Sequence, residues 1–407
     1  MRISTGQLYD RSIQSVLDSQ SRLSDVQQQL SSGKKLLRPS DDPIGAAQVI
    51  RLTEEIEQIN QYKKNSNLLV NSLEQEETVL KSVNTSMDRA RVLMLQSGNG
   101  IVGANDREAI AIEINQIKDQ LFELMNSQNS AREYIFAGYQ SASPAFGFNP
   151  SAVGNKYSFE GDGGENKIQI SDTISQQMNN SGFEVFENVL SRLTPSISGT
   201  VGTTDATLNV QVQNAFDAFH KTNYDAITPV NNEFQINILS STQAQITNVG
   251  TGVMLDTVDF SSGSAFLYKG LEINITGVPG DTVNFKLEPP QKKNIAETLN
   301  DFVNVLNNKN IADGDFERGL SDVLAGVDNS MASVANAISK IGARRNSTDS
   351  VFESNLDLEI SNKKARANIQ EVDYAEAVSE LSRQETALQA AQATFSRVTG
   401  TSLFDYI

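Results

Sequence analysis

The stretch GKKLLRPSDDPIGAA, residues 33–47, concentrates residues that could bind a ligand or carry out chemistry. A phosphate-binding loop needs the pattern G-x-x-x-x-G-K-[ST], in which glycine amides surround the phosphate oxygens. Here Gln28 stands where the upstream glycine is needed, and Lys35 takes the place of the hydroxyl residue. The sequence therefore argues against a phosphate loop.

The adjacent acids Asp41 and Asp42 could form a metal site or an acid–base pair. Neighbouring residues project in different directions, and no His or Glu follows at helical spacing to complete such a site. A corner between two helices explains more residues, with Gly33 ending one helix and Ser40, Asp41 or Asp42 capping the next before Pro43. The predicted corner, which is also a candidate contact between subunits, comprises Gly33, Lys34, Lys35, Arg38, Pro39, Asp41, Asp42 and Pro43.

Two further charged stretches also have structural explanations. The segment EGDGGE at 160–165 lacks the calcium-loop pattern and is typical of the turn of a hairpin spanning 157–170. The pair Arg344 and Arg345 is expected at the solvated end of an amphipathic helix.

His220 is the only histidine, so a His-dependent catalytic triad would have to use it. It stands beside Phe216 and Phe219 on a face with helical spacing, which favours a packing role. The sequence predicts no catalytic residue, no metal ligand and no cofactor site.

Composition narrows the class of partner. The 407 residues carry a formal charge of −17, which disfavours nucleic acid and anionic membrane surfaces. With no cysteine, disulfides and thiolate metal sites are excluded. No apolar run reaches the length of a membrane span, so we expect no membrane insertion, and we expect no cleaved signal peptide at Met1.

The elements that must position these residues are long helices at both ends of the chain. Apolar residues recur there in steps of three, four and seven, which is typical of coiled-coil packing. The predicted N-terminal seam comprises Tyr9, Val16, Leu23, Val26 and Leu30. The predicted C-terminal seam comprises Leu381, Leu388, Ala391, Phe395 and Val398. A third helix is predicted over 46–97.

The middle of the chain differs in composition. Seven of the nine prolines and 14 of the 26 glycines fall between residues 143 and 292. Alternating apolar residues there predict strands, while residues 200–222 fit a strand or a helix. We therefore predict a mainly α fold, an antiparallel coiled coil and helical bundle formed by the two ends, with an inserted β-rich domain.

These patterns predict three domains. The inner terminal coiled coil comprises 1–44 and 366–407, the helical bundle comprises 45–142 and 293–365, and the β-rich insertion comprises 143–292. Polar residues interrupt both seams, including Ser12, Ser19, Gln20, Gln384 and Gln392. Such a pair buries little apolar surface against the entropy of ordering its backbone. We therefore expect 1–40 and 370–407 to be marginal in a free monomer and ordered by neighbouring subunits.

Four stretches resemble the flagellin superfamily: MRISTGQLYD at the start, LSSGKKLLRPSDDPIGAAQV at 30–49, REYIFAGYQS at 132–141 and LQAAQATFSRVTGTSLFDYI at 388–407. The resemblance covers both helical ends, and within the superfamily it is nearer to subunits joining hook to filament than to flagellin. It implies a non-catalytic, extracellular structural subunit of the bacterial flagellum. The terminal helices would assemble into a ring or short helical layer.

The resemblance also implies partners. These are a neighbouring junction protein, flagellin, a cytoplasmic chaperone on the C-terminal helices, and the flagellar type III apparatus that exports the chain without a cleaved signal. Two alternatives stay open at this point. One is a flagellin-type filament subunit, and the other is a surface adhesin or binding module carried by 143–292.

Overall fold

A computed structural model describes residues 5–100, 102–203 and 205–400, with the backbone alone for residues 5, 6, 8 and 398–400. The α-helices of this described part are α1 (Thr5–Ser32), α2 (Pro43–Ser97), α3 (Ala104–Met125), α4 (Gln213–Asn223), α5 (Ile295–Asn307), α6 (Asp313–Gln370) and α7 (Tyr374–Gly400). Short helical turns occur at Phe183–Glu187 and Pro229–Asn232.

The strands lie between α3 and α5. They are β1 (Phe146–Phe148), β2 (Tyr157–Phe159), β3 (Lys167–Gln169), β4 (Ser175–Gln177), β5 (Val189–Leu190), β6 (Pro195–Val201), β7 (Asp205–Val210), β8 (Glu233–Ile238), β9 (Gln243–Asn248), β10 (Met254–Asp259), β11 (Phe266–Tyr268), β12 (Leu271–Thr276), β13 (Thr282–Leu287) and β14 (Lys292–Lys293). The predicted fold class, long terminal helices around a β-rich insertion, is confirmed.

Two compact units make up the chain. The first comprises Met1–Val70, Ile168–Gln176 and Arg345–Ile407, and the second comprises Asn71–Lys167 and Gln177–Arg344. Because α2 and α6 are long, each contributes residues to both units.

In the first unit, α2 and α6 are joined by polar contacts and hold a short hairpin. The Lys63 ammonium lies 2.7 Å from the Glu359 carboxylate. Asn65 donates its side-chain amide to the carbonyl of Gln169 at 2.7 Å, and Asn355 donates to that of Ile170 at 2.8 Å. The side chain of Ile170 is fully buried, so one apolar residue and these two amides help to anchor the hairpin.

In the second unit, two sheets share one core with α4. The first has the strand order β10-β9-β8-β13-β6, and the second has the order β11-β12-β7. Every second residue of β8, β9 and β12 is buried, as alternation predicts for strands with one covered face. Phe216 and Phe219 of α4 lie in the same core. The ambiguous segment 200–222 therefore contains both a strand, β7, and a helix, α4.

The predicted hairpin over 157–170 is wrong. Strand β2 pairs with β1, and β3 pairs with β4. The glycine-rich segment between β2 and β3 contacts another loop instead of turning back. The Asp162 amide donates to the carbonyl of Ala137 at 3.1 Å, while its carboxylate accepts the Tyr139 amide at 2.7 Å. Backbone atoms of Ala137 lie so close to Gly161 that a side chain there would clash.

Candidate assembly interface

The two terminal helices pair antiparallel within the first unit. Near one end of the pair, the rings of Tyr9 and Phe395 lie 5.4 Å apart between centroids. At the other end, Lys34 forms an isolated antiparallel bridge with Glu371. Residues close to the start of α1 therefore face residues close to the end of α7.

The N-terminal seam faces α7 only in part. Of the five predicted residues, Val26 is buried, while Val16, Leu23 and Leu30 are half-buried. The Tyr9 side chain is 45% exposed even though its ring contacts Phe395. A single partner helix thus leaves part of this apolar stripe open to solvent.

The C-terminal seam shows the same partial cover. Its predicted residues Leu381, Leu388, Ala391 and Phe395 are half-buried. The side chain of Val398 lies outside the described residues. Ala377, which accompanies the apolar spacing of the C-terminal seam four residues before Leu381, is buried.

The polar residues assigned to the seams divide into two groups. Ser12, Ser19 and Gln384 are half-buried, as most of the apolar seam residues are. Gln20 and Gln392 are exposed, so their assignment to the seam is wrong. Each stands one position beyond a seam residue, which turns it by about 100° around a helix of 3.6 residues per turn.

The GKKLLRPSDDPIGAA stretch forms a corner between α1 and α2. Gly33 has φ +71°, in the left-handed region, and its amide donates to the carbonyl of Gln29 at 2.8 Å. At the start of α2, the Asp42 carboxylate accepts the amides of Ile44 and Gly45 at 3.1 and 3.0 Å. Pro43 follows as the first helical residue, where it lacks only an amide that has no partner in a helix.

Asp41, the other acid of the pair, stabilises the loop between α1 and α2. The Asp41 carboxylate accepts the Arg38 amide at 2.9 Å, and the Asp41 amide donates back to the Arg38 carbonyl at 3.0 Å. The two acids therefore make separate backbone contacts. Their neighbours Lys34, Lys35, Arg38 and Pro39 are exposed. Among the described residues, none of the three cations of this corner forms an ion pair.

A second corner, between α6 and α7, pairs with the first and was missed from sequence. The Lys35 amide donates to the carbonyl of Gln370 at 2.7 Å, and the Val372 amide donates to that of Gly33 at 3.0 Å. The Asp373 carboxylate then caps α7, accepting the amides of Ala375 and Glu376 at 2.9 and 3.3 Å. An acid followed by Glu three residues later is a known helix-start pattern, so the signal was present.

Large apolar side chains are exposed around these corners. Ile44, in the first turn of α2, is 74% exposed, and Tyr374, in the first turn of α7, is 59% exposed. Other exposed apolar residues described in the first unit are Leu17, Ile50, Leu68, Ile174, Leu358, Ile360 and Val378. A contiguous exposed apolar patch marks a surface that other proteins cover, and Ile44 and Tyr374, each in the first turn of a helix that starts at one of the paired corners, are candidates for such a patch.

Two of the charged or titratable candidates lie in the second unit. His220 is buried, its Nε2 lies 2.8 Å from the Glu288 carbonyl oxygen, and its ring stacks on Tyr224. The expectation that Arg344 lies at a solvated helix end is wrong, because α6 continues to Gln370. Arg344 instead donates to the side chains of Gln177 and Asn180 at 2.7 and 2.8 Å.

Within the described ranges, no three His, Asp or Glu side chains come together in a way that could hold a metal ion. None of the helices described is long and apolar enough to cross a membrane.

The two ends of the chain match known family models. Residues 3–141 match the bacterial flagellin N-terminal helical region, and residues 324–407 match the bacterial flagellin C-terminal helical region. Together these matches take in more than half of the chain. This chain belongs to the flagellin family. Its place is therefore in the bacterial flagellum, an extracellular appendage, where it assembles with other flagellar proteins.

Individual flagellin-family relatives are similar over different lengths. Flagellar hook-associated protein 3 of Salmonella typhimurium is 29% identical over 261 residues, which is 60% of this chain and 80% of the relative. The flagellar filament 41 kDa core protein of Borreliella burgdorferi is 34% identical over 99 residues, which is 24% of this chain and 30% of the relative. Similarity to the hook-associated protein thus extends over much more of the chain.

Solved structures show the same fold. Flagellar hook-associated protein 3 of Legionella pneumophila aligns with a TM-score of 0.59 and 21% identity, covering 79% of this chain and 99% of its own. FlgL of Xanthomonas campestris aligns with a TM-score of 0.56 and 18% identity, covering 78% of this chain and 99% of its own. These relatives are structural flagellar proteins, and the present chain is a structural member of the same flagellin family.

Proposed function

We propose that this chain joins the flagellar hook to the filament and assembles through α1 and α7. The main support for this proposal is that α1 and α7 bury their apolar seams only in part. Tyr9 and neighbouring apolar residues therefore remain accessible to other subunits. Similarity to hook-associated protein 3 over 261 residues supports the junction role over that of a filament subunit. The seam residues and the GKKLLRPSDDPIGAA corner are the proposed assembly contacts.

The proposed arrangement has three parts. Residues 1–44 and 366–407 form an inner coiled coil, 45–142 and 293–365 form a surrounding bundle, and 143–292 form an outer domain. Copies of the chain associate into a ring or short helical layer between another junction protein and flagellin. The chain catalyses no reaction in this role.

The proposed route to the flagellum is type III export without removal of a signal. A cytoplasmic chaperone holds the C-terminal helices before export. The half-buried stripe of α7 supports this step, since an amphipathic helix can place its apolar face in a partner's groove.

A strain lacking this chain tests the junction role by electron microscopy. We expect hooks without filaments and flagellin released into the medium. Restoring the full chain should restore filaments, and restoring a chain without residues 370–407 should not. Filaments that stay attached without this chain would show that the proposal is wrong.

Immunogold labelling separates a junction subunit from a filament subunit. We expect label at one position, where hook meets filament. Label along the whole filament would favour the flagellin-type alternative. If a chain without 143–292 still attaches filaments, the insertion is dispensable for joining.

A further inference from the structure

The second unit contains a cleft of about 840 Å3 that the assembly role does not use. One wall is α4, with Asn214, Asp217 and Lys221, and the other is α6, with Ser321 and Ala325. Small-molecule sites in proteins have volumes of roughly 300–1,000 Å3. The cleft is therefore large enough for a small ligand.

Hydrogen bonds hold the walls of this cleft in place. Arg192 donates to the side chain of Gln213 at 2.6 Å, to the Val210 carbonyl at 2.9 Å and to Asp322 at 3.0 Å. Gln213 in turn donates to Asp217 at 2.7 Å. Since these side chains are already ordered, little conformational entropy would be lost when a ligand binds.

Backbone carbonyl and amide groups that line the cleft already have hydrogen-bond partners within the chain. The carbonyl of Leu190 accepts Asn329 at 2.8 Å, and that of Leu193 accepts Gln213 at 3.2 Å. The amides of Gln211 and Val212 both donate to the Gly270 carbonyl. An extended peptide that pairs with a strand edge needs free backbone groups, so the cleft is poorly suited to one.

Side chains supply the remaining hydrogen-bonding capacity. The side chains of Gln211, Asn214 and Lys221 line the cleft, are exposed, and make no hydrogen bond or ion pair with any described residue. Amide groups can both donate to and accept from a hydroxyl. Tyr224, which stacks on His220 at 4.9 Å between centroids, adds an aromatic ring of the kind that packs on the C–H faces of sugars.

The charges of the lining balance. Arg192 and Lys221 are cations, and Asp217 and Asp328 are anions, so the cleft favours neither a cation nor an anion. A rigid, charge-balanced cleft with free amides and an aromatic ring suits a neutral polyhydroxyl compound. We propose that this cleft binds a neutral oligosaccharide. This proposal is independent of the junction role, because the junction role depends on the terminal helices and is tested there.

A glycan array and calorimetry test the cleft with the full-length chain. The array carries neutral and sialylated oligosaccharides, and the neutral glycan that is retained best is titrated by isothermal calorimetry. We expect Asn214→Ala to weaken its binding about tenfold, the effect of one hydrogen bond. Ser321→Trp fills the cleft from α6 and should abolish binding.

Matched variants outside the cleft serve as controls. Asn209→Ala removes an exposed amide from β7, and Ala218→Trp places a Trp on an exposed position of α4. Both should bind within twofold of the unaltered chain. The proposal is wrong if no neutral glycan is retained, if sialylated glycans are preferred, or if Ser321→Trp binds as well as Ala218→Trp.

Discussion

Asp42 and Asp373 cap two different helices in the same way. Each carboxylate accepts the amides of the residues two and three positions ahead, Asp42 at the start of α2 and Asp373 at the start of α7. The corners that contain them are joined through the backbone of Gly33 and Val372. The turn from α1 into α2 and the turn from α6 into α7 therefore stabilise each other.

Removing either cap should weaken the first unit. Asp42→Ala and Asp373→Ala are each expected to lower the free energy of unfolding by about 1 kcal/mol, since each leaves two amides without their acceptor. Asp42→Asn and Asp373→Asn keep an acceptor oxygen and should lose much less. Urea unfolding followed by circular dichroism measures the difference. Equal losses for Ala and Asn would contradict a capping role.

Gly33 is required for its backbone conformation. At φ +71° an Ala costs about 1–2 kcal/mol, and its methyl would lie 3.1 Å from the Tyr374 hydroxyl. Gly33→Ala should therefore destabilise the chain. The matched control is Gly342→Ala, within α6, where a methyl meets no atom within 4 Å and helix propensity predicts a gain. Thermal unfolding should show a lower melting temperature for Gly33→Ala and a higher one for Gly342→Ala than for the unaltered chain.

Glu76 should make stability depend on pH. Burial disfavours its charged form and raises its pKa to about 7 from an ordinary 4.5, although hydrogen bonds from Asn180 and the charge of Arg344 oppose the shift. Between these two values the folded chain holds a proton that the unfolded chain has released. Stability contributed by this group therefore falls as the pH rises through that window, by on the order of 3 kcal/mol.

The test is urea unfolding of the unaltered chain and of Glu76→Gln between about pH 5 and pH 8. The variant has no titrating group at this position, so its stability relative to the unaltered chain should rise up to about pH 7 and then level off. Parallel curves for the two proteins would show that Glu76 ionises normally.

The partial cover of α1 and α7 predicts where a protease acts first. Arg22 and Arg383 lie in the terminal helices, whereas Lys81 and Arg89 lie in α2, and all four side chains are exposed. Cleavage within a helix requires local unfolding, which needs less energy where little apolar surface is buried. Among these helical sites, trypsin should therefore cut the monomer at Arg22 and Arg383 before Lys81 and Arg89, with the sites identified by mass spectrometry. Simultaneous cleavage in α2 would contradict the weak seam.

The helices were predictable because their apolar periodicity extends over many turns. The spacing over 46–97 gave a helix that the structure places at Pro43–Ser97, and Gly33 and Pro43 marked the corner through their backbone requirements. These signals are local, so no other part of the chain is needed to interpret them.

The seam errors at Gln20 and Gln392 are local, one position around the helix, whereas the other errors concern contacts between distant segments. The turn-like glycines at 161–164 lie against Ala137 and Tyr139, which nothing in their own stretch indicates. Arg344 is half-buried because Gln177 and Asn180 receive its hydrogen bonds. Asp373 carried a local capping signal, yet its pairing with the first corner depends on tertiary structure.

The bridge between Gly33 and Val372 also bears on the order of folding. It joins segments separated by almost the whole chain, so the contact order of the α1–α7 pair is very high. Ribosomes make α1 long before α7, and throughout that interval the apolar stripe of α1 lacks its helical partner. Closure of the two ends is thus a late folding event. Until it occurs, both helices stay available to whatever protein escorts the nascent chain.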